Sequence, residues 1–341
     1  MENNLSERML LVLSVVIDSY MEYNEPLGSR TLTKRYGLDF SPATMRNIML
    51  DLEESGFLTH TRTSGGKIPT EKGYRLYIDT ITKNFKPDVK KEFKKVSKKN
   101  SLKLTDAMRE ISQIASSVSG LISLVTLPNF MKMKIKHISF TKISKNMVMF
   151  VVLFENSMIE TRIIRTNRDF SEAELKEFSE YIANNYKGFS LMDIRDEIRG
   201  YINSAKNDSE SLIASITQQL ENTDLVVSGV KNIFEHKEFT KNIERLKKLV
   251  NILEEREKIL ALLENVIENN KKVMIGTDLL IDDLKDLGLV SSTYEYKNEN
   301  LGVVSIMGPI NMDYKEIISI VESAAKKINS MLKIKGGEYV K

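Results

Sequence analysis

Three polar side chains near the start of one predicted helix are suited to reading DNA. Ser41-Pro42 predicts a helix start, because serine caps helix amino termini and proline is tolerated at the first helical position. Thr44, Arg46 and Asn47 follow within two turns. Arginine pairs bidentately with guanine and asparagine with adenine, so a helix presenting both is able to read a major groove. Taken alone, the same helix also fits an ordinary solvated face.

Residue types that carry most catalytic and metal chemistry are scarce. The sequence has no cysteine and only three histidines, none at the spacing that places two ligands on one helical face. Gly65-Gly66-Lys67 lacks the upstream glycine of a phosphate-binding loop. Asp282, Asp283 and Asp286 alternate with leucines, as on a solvated helix face. We therefore expect no catalytic residue, no metal site and no cofactor, and we predict that the protein is not an enzyme.

Composition sets the class of protein and its compartment. The 341 residues are 41% hydrophobic and 28% charged, which predicts two or three folded domains. The absence of cysteine favours a reducing compartment. The apolar run Met9 to Ile17 lacks the basic start of a signal peptide, and the longest apolar run, Met147 to Phe154, is too short to span a bilayer. We expect a cytoplasmic, nucleoid-associated protein with no membrane partner.

The elements that position the polar helix form a familiar order. Two amphipathic helices precede it, and two short strands around Gly65-Gly66 predict a β-hairpin after it. Thr70 then caps a further helix. The sequence therefore predicts a winged helix-turn-helix domain over residues 1–82. Nine lysines against two acidic residues between Lys83 and Lys103 predict a basic linker over 83–103.

The remainder is predicted as an α+β domain with an insertion. A helix and then sheet patterns cover 104–170, a helical pattern of about a hundred residues covers 171–269, and sheet patterns followed by a closing helix cover 270–341. One long helix is predicted from Phe239 to Val266. Its apolar residues alternate steps of four and three, which predicts either dimerisation or helix packing within the subdomain. The residues in this stripe are Phe239, Ile243, Leu246, Val250 and Leu253.

Several stretches in the same chain order resemble the HrcA family of bacterial heat-inducible transcription repressors. The resemblance covers nearly the full length. In the amino-terminal part it lies in Glu25-Pro26-Leu27-Gly28-Ser29-Arg30-Thr31-Leu32, Ser41-Pro42-Ala43-Thr44-Met45-Arg46-Asn47 and Thr63-Ser64-Gly65-Gly66-Lys67-Ile68-Pro69-Thr70. Towards the carboxyl end it lies in Gly308-Pro309-Ile310-Asn311-Met312-Asp313-Tyr314, where Asn311 replaces a basic residue that is common in relatives. This difference leaves the role of that loop open.

The resemblance implies a fold and a set of partners. It implies a winged helix-turn-helix, a GAF-like domain and an inserted dimerising domain. It also implies a homodimer on double-stranded DNA at an inverted-repeat, CIRCE-type operator of chaperone genes, with the GroE chaperonin keeping the repressor competent. A small-molecule-gated regulator is the alternative function. The residues expected to contact DNA are Arg30, Thr31, Ser41, Thr44, Arg46, Asn47, Arg62 and Lys67.

Overall fold

The computed structural model of the chain describes residues 5–60, 66–96, 104–155, 158–166, 168–201, 225–235, 243–296 and 299–337. Two residues with predicted roles, Arg62 and Phe239, lie outside these ranges. Within them, no helix is both long and apolar enough to cross a membrane.

The amino-terminal unit has the predicted order of helices and hairpin. Its helices are α1 (Glu7–Tyr23), α2 (Ser29–Arg35), α3 (Pro42–Glu54) and α4 (Glu71–Asn84). Between α3 and α4, β1 (Leu58–His60) pairs antiparallel with β2 (Lys67–Pro69). The Ser41 and Thr70 side chains cap α3 and α4, as predicted from sequence. The apolar faces of α1, α3 and α4 meet in one core.

A central unit follows, built on a five-stranded antiparallel sheet of order β7-β3-β10-β9-β8. Its strands are β3 (Ile122–Thr126), β7 (Leu225–Ser228), β8 (Val273–Ile275), β9 (Leu287–Tyr296) and β10 (Glu299–Pro309). Its helices are α5 (Leu104–Ser119), α8 (Ile243–Glu254), α9 (Arg256–Asn269) and α10 (Tyr314–Gly337). Val304 and Ile306 pack in the same apolar core as α5 and α10, whereas Val303 and Met307 pack with α8 and α9. The sheet is therefore covered by helices on both faces.

A third, inserted unit has a sheet of order β4-β5-β6. It comprises β4 (Ile135–Ser144), β5 (Met147–Phe154), β6 (Ile159–Arg165), α6 (Glu172–Asn185) and α7 (Leu191–Tyr201). Phe140 on β4 contacts Phe150 on β5 and Phe178 on α6, with ring centroids 6.4 and 5.1 Å away. These aromatic rings fill the space between the sheet and α6. The helices and antiparallel sheets of the three units confirm the predicted α+β class.

The insertion begins earlier in the chain than the sequence indicates. The predicted helical subdomain was 171–269, but the chain leaves the five-stranded sheet after Thr126 and rejoins it at Leu225. Strands β4, β5 and β6 therefore belong with α6 and α7, whereas β7, α8 and α9 belong with the central sheet. The cause is β7, which has four residues and is too short to show a strand period, although it pairs with β3 over its whole length.

The predicted long helix from Phe239 to Val266 is also divided. Glu255 has φ −79° and ψ 70°, outside the helical region, and it separates α8 from α9. The described residues of the heptad-like stripe therefore all lie on α8, and α8 and α9 each pack their own apolar residues on the sheet.

The first half of the basic linker lies against α10. The backbone N–H groups of Asp88 and Lys90 donate to the hydroxyls of Ser319 and Ser323, at 3.2 and 3.0 Å. The Lys90 ammonium pairs with Glu316 at 2.6 Å. Phe93 and Val96 are buried. This segment is an ordered strap between the two units rather than a solvated tether.

Two polar clusters join α1 and α4 to the central unit. In one, the Arg75 guanidinium pairs with Asp278 and with Glu71, and it donates to the carbonyl of Ile275 at 3.2 Å. Glu71 also accepts from the hydroxyl of Thr277 at 3.1 Å. The cluster is partly buried, so its ions depend on one another for compensation.

The second cluster centres on Asp18 of α1. Asp18 accepts from the hydroxyl of Tyr77 and from the ammonium of Lys315, the latter at 3.3 Å. Nearby, the amide of Asn311 donates to the side-chain oxygen of Asn24 at 3.0 Å. The Asn311 loop therefore has a structural role here, contacting the end of α1.

We expect Gly276→Ala to destabilise the protein by about 2 kcal/mol, because Gly276 has φ +56° and an added Cβ would displace the Glu71 carboxylate from its partly exposed ion pair. Gly120→Ala is the matched control. Gly120 has φ +66° with nothing within 4 Å of the added Cβ, so only the backbone cost of about 1 kcal/mol applies. Urea unfolding of both variants measures the difference. Equal losses would show that the contact between Gly276 and Glu71 contributes nothing.

Candidate nucleic-acid interface

Helix α3 presents Arg46 and Asn47 on the side opposite its core. Met45, Met49 and Leu52 are buried at helical spacing, which fixes the rotation of the helix. Arg46 and Asn47 are exposed. The two side chains that the sequence analysis assigned to base recognition are thus adjacent and open to solvent.

The start of α3 is held by its own cap. The Ser41 hydroxyl accepts from the backbone N–H of Thr44 at 3.1 Å and lies 3.0 Å from the Thr44 hydroxyl. Ser41 is exposed and Thr44 is half-buried. Both hydroxyls lie at the amino-terminal end of α3, where backbone N–H groups attract a nearby phosphate.

Helix α2 lies directly against α3 and contributes two more of the predicted contacts. Arg30 and Thr31 are exposed in its first turn. Their place at the helix amino terminus suits phosphate contacts, which position a protein on DNA without reading sequence.

Lys67 has a different environment from the one predicted. Its ammonium pairs with Glu53 at the end of α3, and its side chain is only 14% exposed. Glu53 also lies 3.1 Å from Nδ1 of His60. The hydrogen bond from Lys67 lowers the pKa of the Glu53 carboxyl below its ordinary value. The predicted phosphate contact by Lys67 is therefore not supported, because its charge fixes the hairpin to α3.

Gly66 provides a second attachment of the hairpin that the sequence analysis missed. A Cβ at this buried position would lie 2.8 Å from the backbone oxygen and Cβ of Pro26, in the loop before α2. Only glycine allows this approach. The Gly65-Gly66 pair was interpreted from sequence as a loop tip only.

The predicted dimerisation stripe packs inside the chain. Leu253 is 7% exposed, and Leu246 is packed against the same core beneath the central sheet. Val250 is half-buried, and Ile243 is the first residue of α8. The alternative of packing within the chain therefore accounts for Leu246 and Leu253.

The inserted unit has instead a sheet face that the described helices leave partly exposed, a feature that was not predicted from the sequence. On β5, Val148, Phe150, Val152 and Phe154 are buried, whereas the alternate residues are only half-buried. Facing them, Ile159 and Ile163 on β6 are 39% and 50% exposed. We define the open sheet face by six apolar residues. They are Met147, Met149, Val151, Leu153, Ile159 and Ile163.

The continuous apolar run of β5 carried the signal for this face. A strand that is apolar on both sides predicts burial on both sides. In this chain only one side of β5 is buried, which leaves the other side available to a partner.

Ligand chemistry receives no support from the described parts of the chain. Among these residues, no group of three or more histidine, aspartate or glutamate side chains is placed to hold a metal ion. Asp282 lies in a short 3₁₀ turn, Asp282–Leu284, instead of the predicted helix face.

Comparisons with known proteins agree on one family. Residues 105–318 match the family model for the HrcA protein C terminal domain. The heat-inducible transcription repressor HrcA of Geobacter sulfurreducens is 32% identical, covering 96% of this chain and 98% of that protein. The repressor of the same name from Clostridium acetobutylicum is 30% identical, with the same coverage of both chains.

The fold itself also has a solved counterpart. A crystal structure of a hypothetical protein matches with a TM-score of 0.64 at 17% identity. It covers 97% of this chain and 100% of that one. The architecture is therefore one that a crystal structure also shows.

We expect Glu53→Gln to lower the free energy of unfolding by about 1 kcal/mol at pH 7, because Lys67 loses its charged partner. Since the folded-state pKa of Glu53 is lowered, this contribution is present above the unfolded pKa near 4.3 and is lost as pH falls through the folded value. The difference between wild type and variant should thus shrink below about pH 4. Urea titrations from pH 7 to 3 measure it, with Glu54→Gln as the control. A pH-independent difference would contradict the ion-pair assignment.

Proposed function

The chain belongs to the HrcA family of heat-inducible transcription repressors, and from this premise we propose that it represses transcription by binding duplex DNA through α3. The prediction that the protein is not an enzyme is confirmed, since the family is one of transcription repressors. To bind an inverted-repeat operator, a repressor needs a surface that contacts DNA bases and a dimer interface that holds two copies at a fixed separation. It also needs a rigid connection between that surface and the interface.

The observation that carries this proposal is the outer face of α3, where Arg46 and Asn47 are both exposed. We assign the amino-terminal unit as a winged helix-turn-helix in which α3 enters the major groove. Arg30 and Thr31 of α2, with Ser41 and Thr44 at the start of α3, supply contacts to the phosphate backbone. The β1–β2 hairpin is the wing, attached to α3 by the Glu53–Lys67 pair.

We propose a homodimer, and the open sheet face supports this proposal. We assign the inserted unit as the dimerising domain, with a second copy of the chain covering this face. A two-fold dimer buries the same patch from both subunits, and β5 offers a row of uncharged apolar residues for such self-complementary packing. This assignment replaces the predicted stripe on α8, where Leu253 is buried and Leu246 is partly buried against the same core.

The central unit then connects the amino-terminal unit, which we assign to DNA binding, with the inserted unit, which we assign to dimerisation. We assign it as GAF-like, on the support of a five-stranded antiparallel sheet between two helical layers. Tyr294, Val303 and Leu289 in this sheet have no exposed surface. Side chains therefore fill the sheet at these three positions, and nothing there favours the alternative of a small-molecule-gated regulator.

The target and the trigger rest on family membership. We propose an inverted-repeat, CIRCE-type operator of chaperone genes, with repression relieved by heat and with the GroE chaperonin as the partner that keeps the repressor competent. An inverted repeat suits two copies related by two-fold symmetry.

We expect Arg46→Ala and Asn47→Ala each to weaken operator binding by about 1–3 kcal/mol while leaving binding to random duplex nearly unchanged, because base contacts carry the specificity. Fluorescence anisotropy on both duplexes at one salt concentration measures the two affinities. Arg109→Ala, which removes an exposed arginine from α5, is the control for charge alone. Equal losses on operator and random DNA would exclude α3 as the reading helix.

We expect Ile163→Asp to convert the dimer to a folded monomer, because a carboxylate on an apolar surface that a second copy covers is costly to bury. Analytical ultracentrifugation gives the mass, circular dichroism the folded state, and the same anisotropy assay a weakened operator affinity. Leu280→Asp places the same charge on a leucine of the central unit that is 76% exposed. It should stay dimeric. A dimeric Ile163→Asp protein would remove the open sheet face from the proposal.

A further inference from the structure

Leu50 is a large apolar side chain on the outer face of α3, and it does not belong to the core of the amino-terminal unit. It is 39% exposed. The other large apolar residues of the helix, Met45, Met49 and Leu52, are buried, and Ile48 is packed against the same core. One turn of helix separates Leu50 from Arg46 and Asn47, so all three share the solvent side.

The spacing on this face matches that of helices that read a major groove. In homeodomains the residues that contact bases are spaced i, i+3, i+4 and i+7 along the recognition helix. Ala43, Arg46, Asn47 and Leu50 have this spacing, and all four are exposed. Leu50 occupies the last of the four positions. The protein thus holds an apolar side chain where a base-contacting one is expected.

The major groove offers one apolar group to such a side chain, the C5-methyl of thymine. Leu50 lies three residues beyond Asn47, which is a rise of about 4.5 Å along the helix. Neighbouring base pairs are about 3.4 Å apart along one strand. A residue at this offset therefore meets a base pair next to the one that Asn47 contacts.

We propose that Leu50 is a specificity-determining residue that contacts the methyl group of a thymine adjacent to the adenine recognised by Asn47. This inference rests on the proposed function, because it requires α3 to lie in the major groove. The face would then discriminate guanine through Arg46, adenine through Asn47 and thymine through Leu50. Ala43 adds a smaller apolar contact on the same side.

Replacing single thymines by uracil in the operator tests the contact, since only the methyl group is lost. Each thymine of one half-site is replaced in turn, with the matching replacement in the other half-site, and anisotropy gives the affinity. For the wild-type protein we expect about a fourfold loss per half-site at one position, next to the pair sensitive to Asn47→Ala. Leu50→Ala should bind the thymine operator more weakly and show no further loss with uracil at that position.

The matched control is Leu11→Ala, which removes a leucine of α1 that is 46% exposed. It should retain the fourfold preference for thymine. If the wild-type protein shows no uracil-sensitive position, or if Leu50→Ala keeps every sensitivity, Leu50 is only a surface leucine and the inference is wrong. In both cases operator binding by wild type remains, so the proposed function stands. If wild type does not distinguish operator from random duplex, the proposed function fails first.

Discussion

The arrangement of the molecule depends on the partly buried ion cluster in which Arg75 joins α4 to Asp278 of the central unit. Charges taken from water need partners, and removing one leaves the others uncompensated. Glu71 and Thr277 complete the cluster, and Gly276 lets the backbone approach Glu71 closely. Because Asp278 and Thr277 meet Arg75 and Glu71 only when the two units are docked, the cluster favours the docked arrangement. Helix α3 thereby acquires one orientation relative to the central unit.

The local features of the amino-terminal unit were predictable from sequence because each depends on neighbouring residues. Ser41 and Thr70 cap the helices that follow them, and apolar spacing set the buried face of α3. Arg46 and Asn47 were placed correctly on the solvent side for the same reason. The central and inserted units were harder, because β7 is recognisable only by its pairing with β3, about a hundred residues away in sequence. Strand pairing over such distances leaves no local periodic signal.

Charged residues show the same division between local and tertiary information. A lysine in a hairpin and a lysine in a basic linker look alike in sequence, yet Lys67 pairs with Glu53 and Lys90 pairs with Glu316. Both partners come from other elements of the fold. The sequence alone therefore does not distinguish lysines that are open to solvent from lysines that are held in ion pairs. Arg62 and Phe239 lie outside the described residues, and their predicted roles stay predictions. The apolar run of β5 indicates that both sides of this strand are apolar. Which side is buried depends on where α6 packs, and the sequence pattern does not show this.

The position of β3 has a consequence for how the protein is made. This strand, at residues 122–126, pairs with β10 near residue 305 and with β7 near residue 226. At roughly 5–20 residues per second, the ribosome needs on the order of ten to forty seconds to supply β10 after β3 has been made. Throughout that interval the apolar strand β3 lacks one of its two neighbouring strands, and for most of it Arg75 also lacks Asp278. The nascent chain is thus exposed to aggregation for most of its synthesis, and its central unit completes folding only when translation is nearly over.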